Sequence, residues 1–139
     1  MLNYQINPVL MGGKVKSISA EGVVKINLNG RLGVIKVPQN LFINNEELDI
    51  GKKLRFFFSY VKVVDNCLEF DNSDLNAEYG VEPTLLGGVF KEVNDTAVEL
   101  SIMNGQGSVA VPRRWIFTEK ELEENFNCEL YLSCIEVLN

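Results

Sequence analysis

The sequence predicts an all-β fold built from two copies of one small module. Three observations carry this. Apolar and polar residues alternate at period two: Val24, Ile26 and Leu28 fall on one face of a strand, and Val23, Lys25 and Asn27 on the other. Asn29-Gly30, between two such runs, is a hairpin signal, because a type I′ turn needs positive φ at both central positions. The third observation is a repeat. The kernel Gly30-x-x-Gly33-Val34-Ile35-Lys36-Val37-Pro38 returns as Gly105-Gln106-Gly107-Ser108-Val109-Ala110-Val111-Pro112.

The repeat extends well beyond the kernel. Tyr4 to Gly13 lies over Tyr79 to Gly88 at a lag of 75 residues. From Val24 over Val98 onward the lag is 74, through Ser59 over Ser133 and Val63 over Val137. One residue is lost after Ile18. The modules are 1–72 and 76–139.

Composition bounds the class. The chain has 139 residues, 46% apolar and 23% charged, which fits a globular protein rather than a disordered one. No apolar run is long enough to span a bilayer, and the N-terminal Met-Leu-Asn-Tyr-Gln does not resemble a signal peptide. A soluble, cytoplasmic protein without membrane contact is expected. Cys67, Cys128 and Cys134 form no CxxC and sit in apolar runs, so they are expected as small core hydrophobes. Charge is uneven: residues 1–75 carry net +1 and residues 76–139 net −7, together the −6 of the chain. Divergent surfaces of this kind point to different partners, or to docking of one copy on the other.

In order, the first copy reads as follows. Tyr4 to Gly13 is an extended lead-in whose Pro8 lacks an amide donor. Strands follow at Lys14–Ile18, Val23–Leu28 and Arg31–Val37, the last with Gly33 as a bulge or bend. Gln39 to Gly51 is a loop with one helical turn that plugs the barrel end. A long strand, Lys52–Val64, leads through Asp65-Asn66 to a last strand at Cys67–Phe70. The second copy repeats this at Val89–Val93, Ala97–Met103, Gln106–Val111 and Cys128–Leu138, with Arg113–Phe126 as its plug. The chain stops where the last strand would begin, so the second copy has an edge needing cover. The N-terminal segment, the linker around Asp74–Glu78 or another subunit would supply it.

Five short strands with a plug between the third and fourth is the order of an OB fold. The expectation is two tandem OB-like five-stranded barrels from an internal duplication, the second lacking its last strand. The pattern Gly13-x-Val15-x-x-Ile18, Gly22-Val23-Val24-x-Ile26-x-Leu28-x-Gly30-x-x-Gly33-x-Ile35 and Leu48-x-x-Gly51-x-x-Leu54-x-Phe56 resembles the RNA-binding barrels repeated in the ribosomal protein called S-one. The resemblance covers most of the first copy and, more loosely, the second. The Asn-Pro-x-Leu-x-Gly-Gly lead-in and the Val-Pro ending are also similar to a small uncharacterised bacterial family. The S-one resemblance implies RNA binding, yet the second and third strands carry none of the exposed aromatics on which bases stack.

Chemistry is constrained by omission. With no histidine, Ser-His, Cys-His and His-metal sites are excluded. Glu46-Glu47 and Glu123-Glu124 lie in polar plug loops, and no phosphate-binding glycine loop is present. No enzyme, cofactor or metal is expected. Two surface constellations remain. Lys14, Lys16, Lys25 and Lys36 point outward on adjacent strands and form a basic stripe suited to phosphates. Phe57 and its counterpart Tyr131, with Arg113, Arg114 and Trp115, are interface candidates. The arginine pair would dock on the acidic run Glu119, Glu121, Glu123 and Glu124. The expected function is a non-enzymatic interaction module or adapter, with a protein partner or self-association. The alternative is weak single-stranded RNA binding through the lysine stripe.

Overall fold

The structure is a computed structural model and describes residues 5–31, 33–65 and 82–138. The described residues are all β, with short 3-10 turns. The first half holds β1 Val9–Ile18, β2 Val23–Leu28, β3 Val34–Pro38, β4 Lys53–Phe58 and β5 Val61–Val64. The second holds β6 Thr84–Val93, β7 Ala97–Ile102, β8 Gly107–Pro112, β9 Ile116–Phe117, β10 Asn127–Leu132 and β11 Glu136–Val137. β1 and β6 are offset by 75 residues at both ends, β2 and β7 by 74, matching the lags of the sequence repeat.

Several local expectations change. Each long strand expected after the plug is broken in two, at Ser59–Tyr60 and at Ser133–Ile135. Asn29–Arg31 form a 3-10 turn rather than a two-residue hairpin, and of Asn29 and Gly30 only the glycine takes positive φ, at 73°. The expected strand at Cys67–Phe70 lies outside the described residues. In the regions read as plugs, 3-10 turns at Gln39–Leu41 and Arg113–Trp115 bury Leu41 and Trp115, aligned residues of the two copies, and the second region also holds the short strand β9.

The larger correction concerns how the copies meet. Two separate barrels are expected; instead every strand joins one sheet, ordered β11–β4–β1–β2–β3–β8–β7–β6–β10–β5–β9, and β4 also pairs with β10. That last pairing closes β4, β1, β2, β3, β8, β7, β6 and β10 into a ring. Both joints between the halves are self-matching. At β3–β8, Ile35 faces Val109, its own counterpart at lag 74. At β4–β10, Phe58 faces Leu132, again its own counterpart. The halves are thus related by an approximate two-fold rotation. Inward residues of both, including Ile26, Ile35, Phe56, Leu86, Leu100 and Leu130, are at most 1% exposed and belong to one core cluster.

The strand breaks have a reason. At the β4–β10 crossing the ladder shrinks to one residue pair, and two buried serines complete it. The Phe57 amide donates to Ser133 Oγ at 2.8 Å, and the Tyr131 amide donates to Ser59 Oγ at 2.8 Å. Each hydroxyl in turn donates to the next carbonyl, Ser59 to Tyr60 and Ser133 to Cys134, at 2.8 Å. Past the crossing each chain end continues on the other half. β5 pairs with β10, and β11 pairs with β4. Among the described residues, β10 is covered by β5 of the first half, and the linker around Asp74–Glu78 lies outside the described residues. Among the described residues the sheet ends at β9 and β11, each two residues long, so these strands offer little edge for stray pairing. Ser133→Ala would leave the Phe57 amide without its acceptor in a buried site. A loss of about 1–3 kcal/mol is expected in urea unfolding.

Candidate anion-binding face

The four sequence-predicted lysines lie on one outward surface of the first half. Lys14 and Lys16 are exposed on β1, Lys25 is half-buried on β2, and Lys36 is exposed on β3. Lys25 and Lys36 are directly opposite each other. Lys14 is directly opposite Lys53 on β4, a residue the predicted stripe omits because its partner strand is visible only in the register. Lys16 occupies a bulge between Val15 and Ser17, beside Lys25. No ion pair among the described residues uses any of the five.

The second half serves as an internal control. The positions matching Lys14 and Lys53 hold Val89 opposite Asn127. Those matching Lys25 and Lys36 hold Glu99 opposite Ala110. Lys91 matches Lys16, occupies the same bulge, and pairs with Glu99 at 3.5 Å. The fold therefore forms without like charges at these places. Directly opposed like charges cost roughly 0.2–1 kcal/mol a pair, and the first half carries two such pairs. β1 to β5 contain no carboxylate at all: Glu21, Glu46, Glu47, Asp49 and Asp65 are all in loops or turns.

A groove of about 560 Å³ deepens this face, lined in part by Gly12, Lys14, Asn29, Lys53, Arg55 and Leu138. The Asn29 side-chain amide lies so close to Gly12 that a Cβ there would approach its Nδ2 to 2.5 Å. Glycine at position 12 lets that amide reach the groove floor. Arg55 is held at the wall by Glu136, Nη2 to Oε1 at 2.6 Å. Cations beside a side-chain amide can receive phosphate oxygens, the lysines as point charges.

The interface candidates fall in two places. Phe57 and Tyr131 are half-buried at the crossing, where their amides meet the other half's serines. Trp115 is 7% exposed and also bridges the halves, stacked on Phe58 at 5.8 Å and edge-on to Tyr60 at 4.5 Å. Arg113 and Arg114 are exposed on the adjoining 3-10 turn. Arg113 donates to the Asn94 carbonyl at 2.7 Å, which ties it to the β6–β7 turn rather than to the acidic run. Beside Trp115 lies a cleft of about 420 Å³ with Ile6, Val9, Tyr60 and Phe117 in its walls. The two-fold mate of this end has Leu41, Ile43 and Cys134 in place of Trp115, Phe117 and Tyr60. Cys128 and Cys134 are buried in the core, and burial pushes the Cys134 thiol up. Cys67 lies outside the described residues.

Among the described residues no helix is long and apolar enough to cross a membrane, and no group of three His, Cys, Asp or Glu could hold a metal ion. No protein-family model matches the chain, and no curated protein is found to be similar to it.

Proposed function

We propose that this chain is a non-enzymatic binding module and that the outer face of β4–β1–β2–β3 takes single-stranded nucleic acid by its phosphate backbone. The observation that carries the reading is the pair of directly opposed lysine couples, Lys14–Lys53 and Lys25–Lys36, on strands without a carboxylate. The two-fold mate does without them, so they serve something other than folding. A row of cations on adjacent strands follows a polyanion without reading its bases, which suits a face with no aromatic on β2 or β3. We take each half to be an OB-like module that has exchanged its last strand with its twin; the repeat of strands and of the 3-10 turns at Gln39–Leu41 and Arg113–Trp115 supports this. The buried thiols suit a reducing, cytoplasmic setting.

The test is fluorescence anisotropy with a labelled single-stranded RNA, at about 50 and 200 mM salt. The chain is compared with a variant in which Lys14, Lys25, Lys36 and Lys53 are changed to Gln. Binding is expected to weaken steeply with salt, at roughly 0.7 in log–log slope per phosphate contacted. The variant is expected to bind at least about tenfold more weakly, with a shallower slope. Absence of binding at low salt, or equal binding by the variant, overturns the reading. A protein partner is the second reading, favoured by the cleft at Tyr60, Trp115 and Phe117, whose counterparts Cys134, Leu41 and Ile43 are not aromatic.

A further inference from the structure

We infer that charges on the exchanged strands make each half accept the other and reject its own kind. Four residues at two repeat positions carry this. Arg55 on β4 and Glu129 on β10 are counterparts at lag 74, and so are Lys62 on β5 and Glu136 on β11. In the structure Lys62 lies directly opposite Glu129, and Glu136 lies directly opposite Arg55. Both exchanged contacts therefore join a first-half cation to a second-half anion. The second of them closes as an ion pair at 2.6 Å.

The alternatives reverse the sign. If β5 folded back on its own β4, or if two chains exchanged their first halves, Lys62 would face Arg55. If the second halves did the same, Glu136 would face Glu129. Glu129 is only 9% exposed, so in that arrangement a second carboxylate would meet it away from water.

The central contacts of the crossing do not make this distinction. Phe58 opposite Leu132 is a pairing of counterparts, and the Ser59 and Ser133 caps are identical in both directions. These contacts would serve a first–first or a second–second pairing equally well. The charges separate the unlike pairing from the like ones, as flanking charges do in coiled coils, and Trp115, which meets Phe58 and Tyr60 of the first half where its own counterpart is Leu41, adds to the separation. The surface around Arg55 and Lys62 thus fits one kind of partner, a half with carboxylates at both positions. In this chain that partner is its own second half.

The test uses full-length chains in three variants. In the first, Glu129→Lys with Glu136→Arg makes both halves cationic. In the second, Arg55→Glu with Lys62→Glu makes both halves anionic. The third combines all four changes and inverts the pattern. Each of the first two is expected to melt lower, by on the order of 5–10 °C, and to recover part of that loss in high salt. The four-fold inversion is expected to return to the parent's Tm and elution volume. Mixing the two like-charged variants is expected to give a 1:1 complex of twice the mass on size exclusion, with strands exchanged between chains. The inference fails if the inverted chain is as damaged as the like-charged ones, because packing rather than complementarity would then be at work. It fails equally if the like-charged variants match the parent, or if their mixture elutes at the volume of the single chain.

Discussion

Gly33→Ala is expected to lower stability by about 3–5 kcal/mol, read from urea unfolding followed by the fluorescence of Trp115, the only tryptophan in the chain. Two effects add. Gly33 has φ of 135°, a region that L side chains rarely adopt. A Cβ there would also overlap the Ala110 carbonyl oxygen across the β3–β8 joint. Gly107, its counterpart, provides the comparison. It has no such φ, and its Cβ would meet the Lys36 carbonyl oxygen at 2.9 Å and the mobile end of Met103 at 2.9 Å. Gly107→Ala is therefore expected to cost less, about 1–2 kcal/mol. A Gly33→Ala chain as stable as its parent would mean that the joint does not hold the two halves at this distance.

Phe58→Ala is expected to cost about 3–5 kcal/mol. Phe58 is fully buried, faces Leu132 at the crossing and stacks on Trp115 at 5.8 Å. Truncation opens a cavity that touches both halves at once, so neither can relax into it alone. The loss should appear in a single transition, coincident by Trp115 fluorescence and by circular dichroism, because one core serves the whole ring. Two separated transitions, with only one displaced by the substitution, would show that the halves fold as independent units.

The kernel glycines illustrate what local reading can and cannot reach. Their recurrence at Gly33 and Gly107 stands out in the sequence, and a bulge or bend is the natural local explanation. The operative constraint is a carbonyl of the other half, which strand periodicity cannot see. The lysine stripe was partly legible for the same reason. Period two orients Lys14, Lys25 and Lys36 correctly, whereas Lys53 joins them only through the β1–β4 register. The like-charge pairs, and their absence from the mate, become visible only once both registers are known.

By itself, the sequence determined the all-β class and most strand positions, and it carries the internal repeat. Alternation, turn residues and a repeat lag are local properties, written in residues close together along the chain. Only the tertiary structure decided that the copies share one ring and trade their last strands. Folding back and crossing over would bury the same kinds of apolar face, so the hydrophobic pattern does not distinguish them. One thing that differs between them is which charge lies opposite which. That depends on pairing across 81 residues for Arg55 and Glu136, a relation that no local window contains.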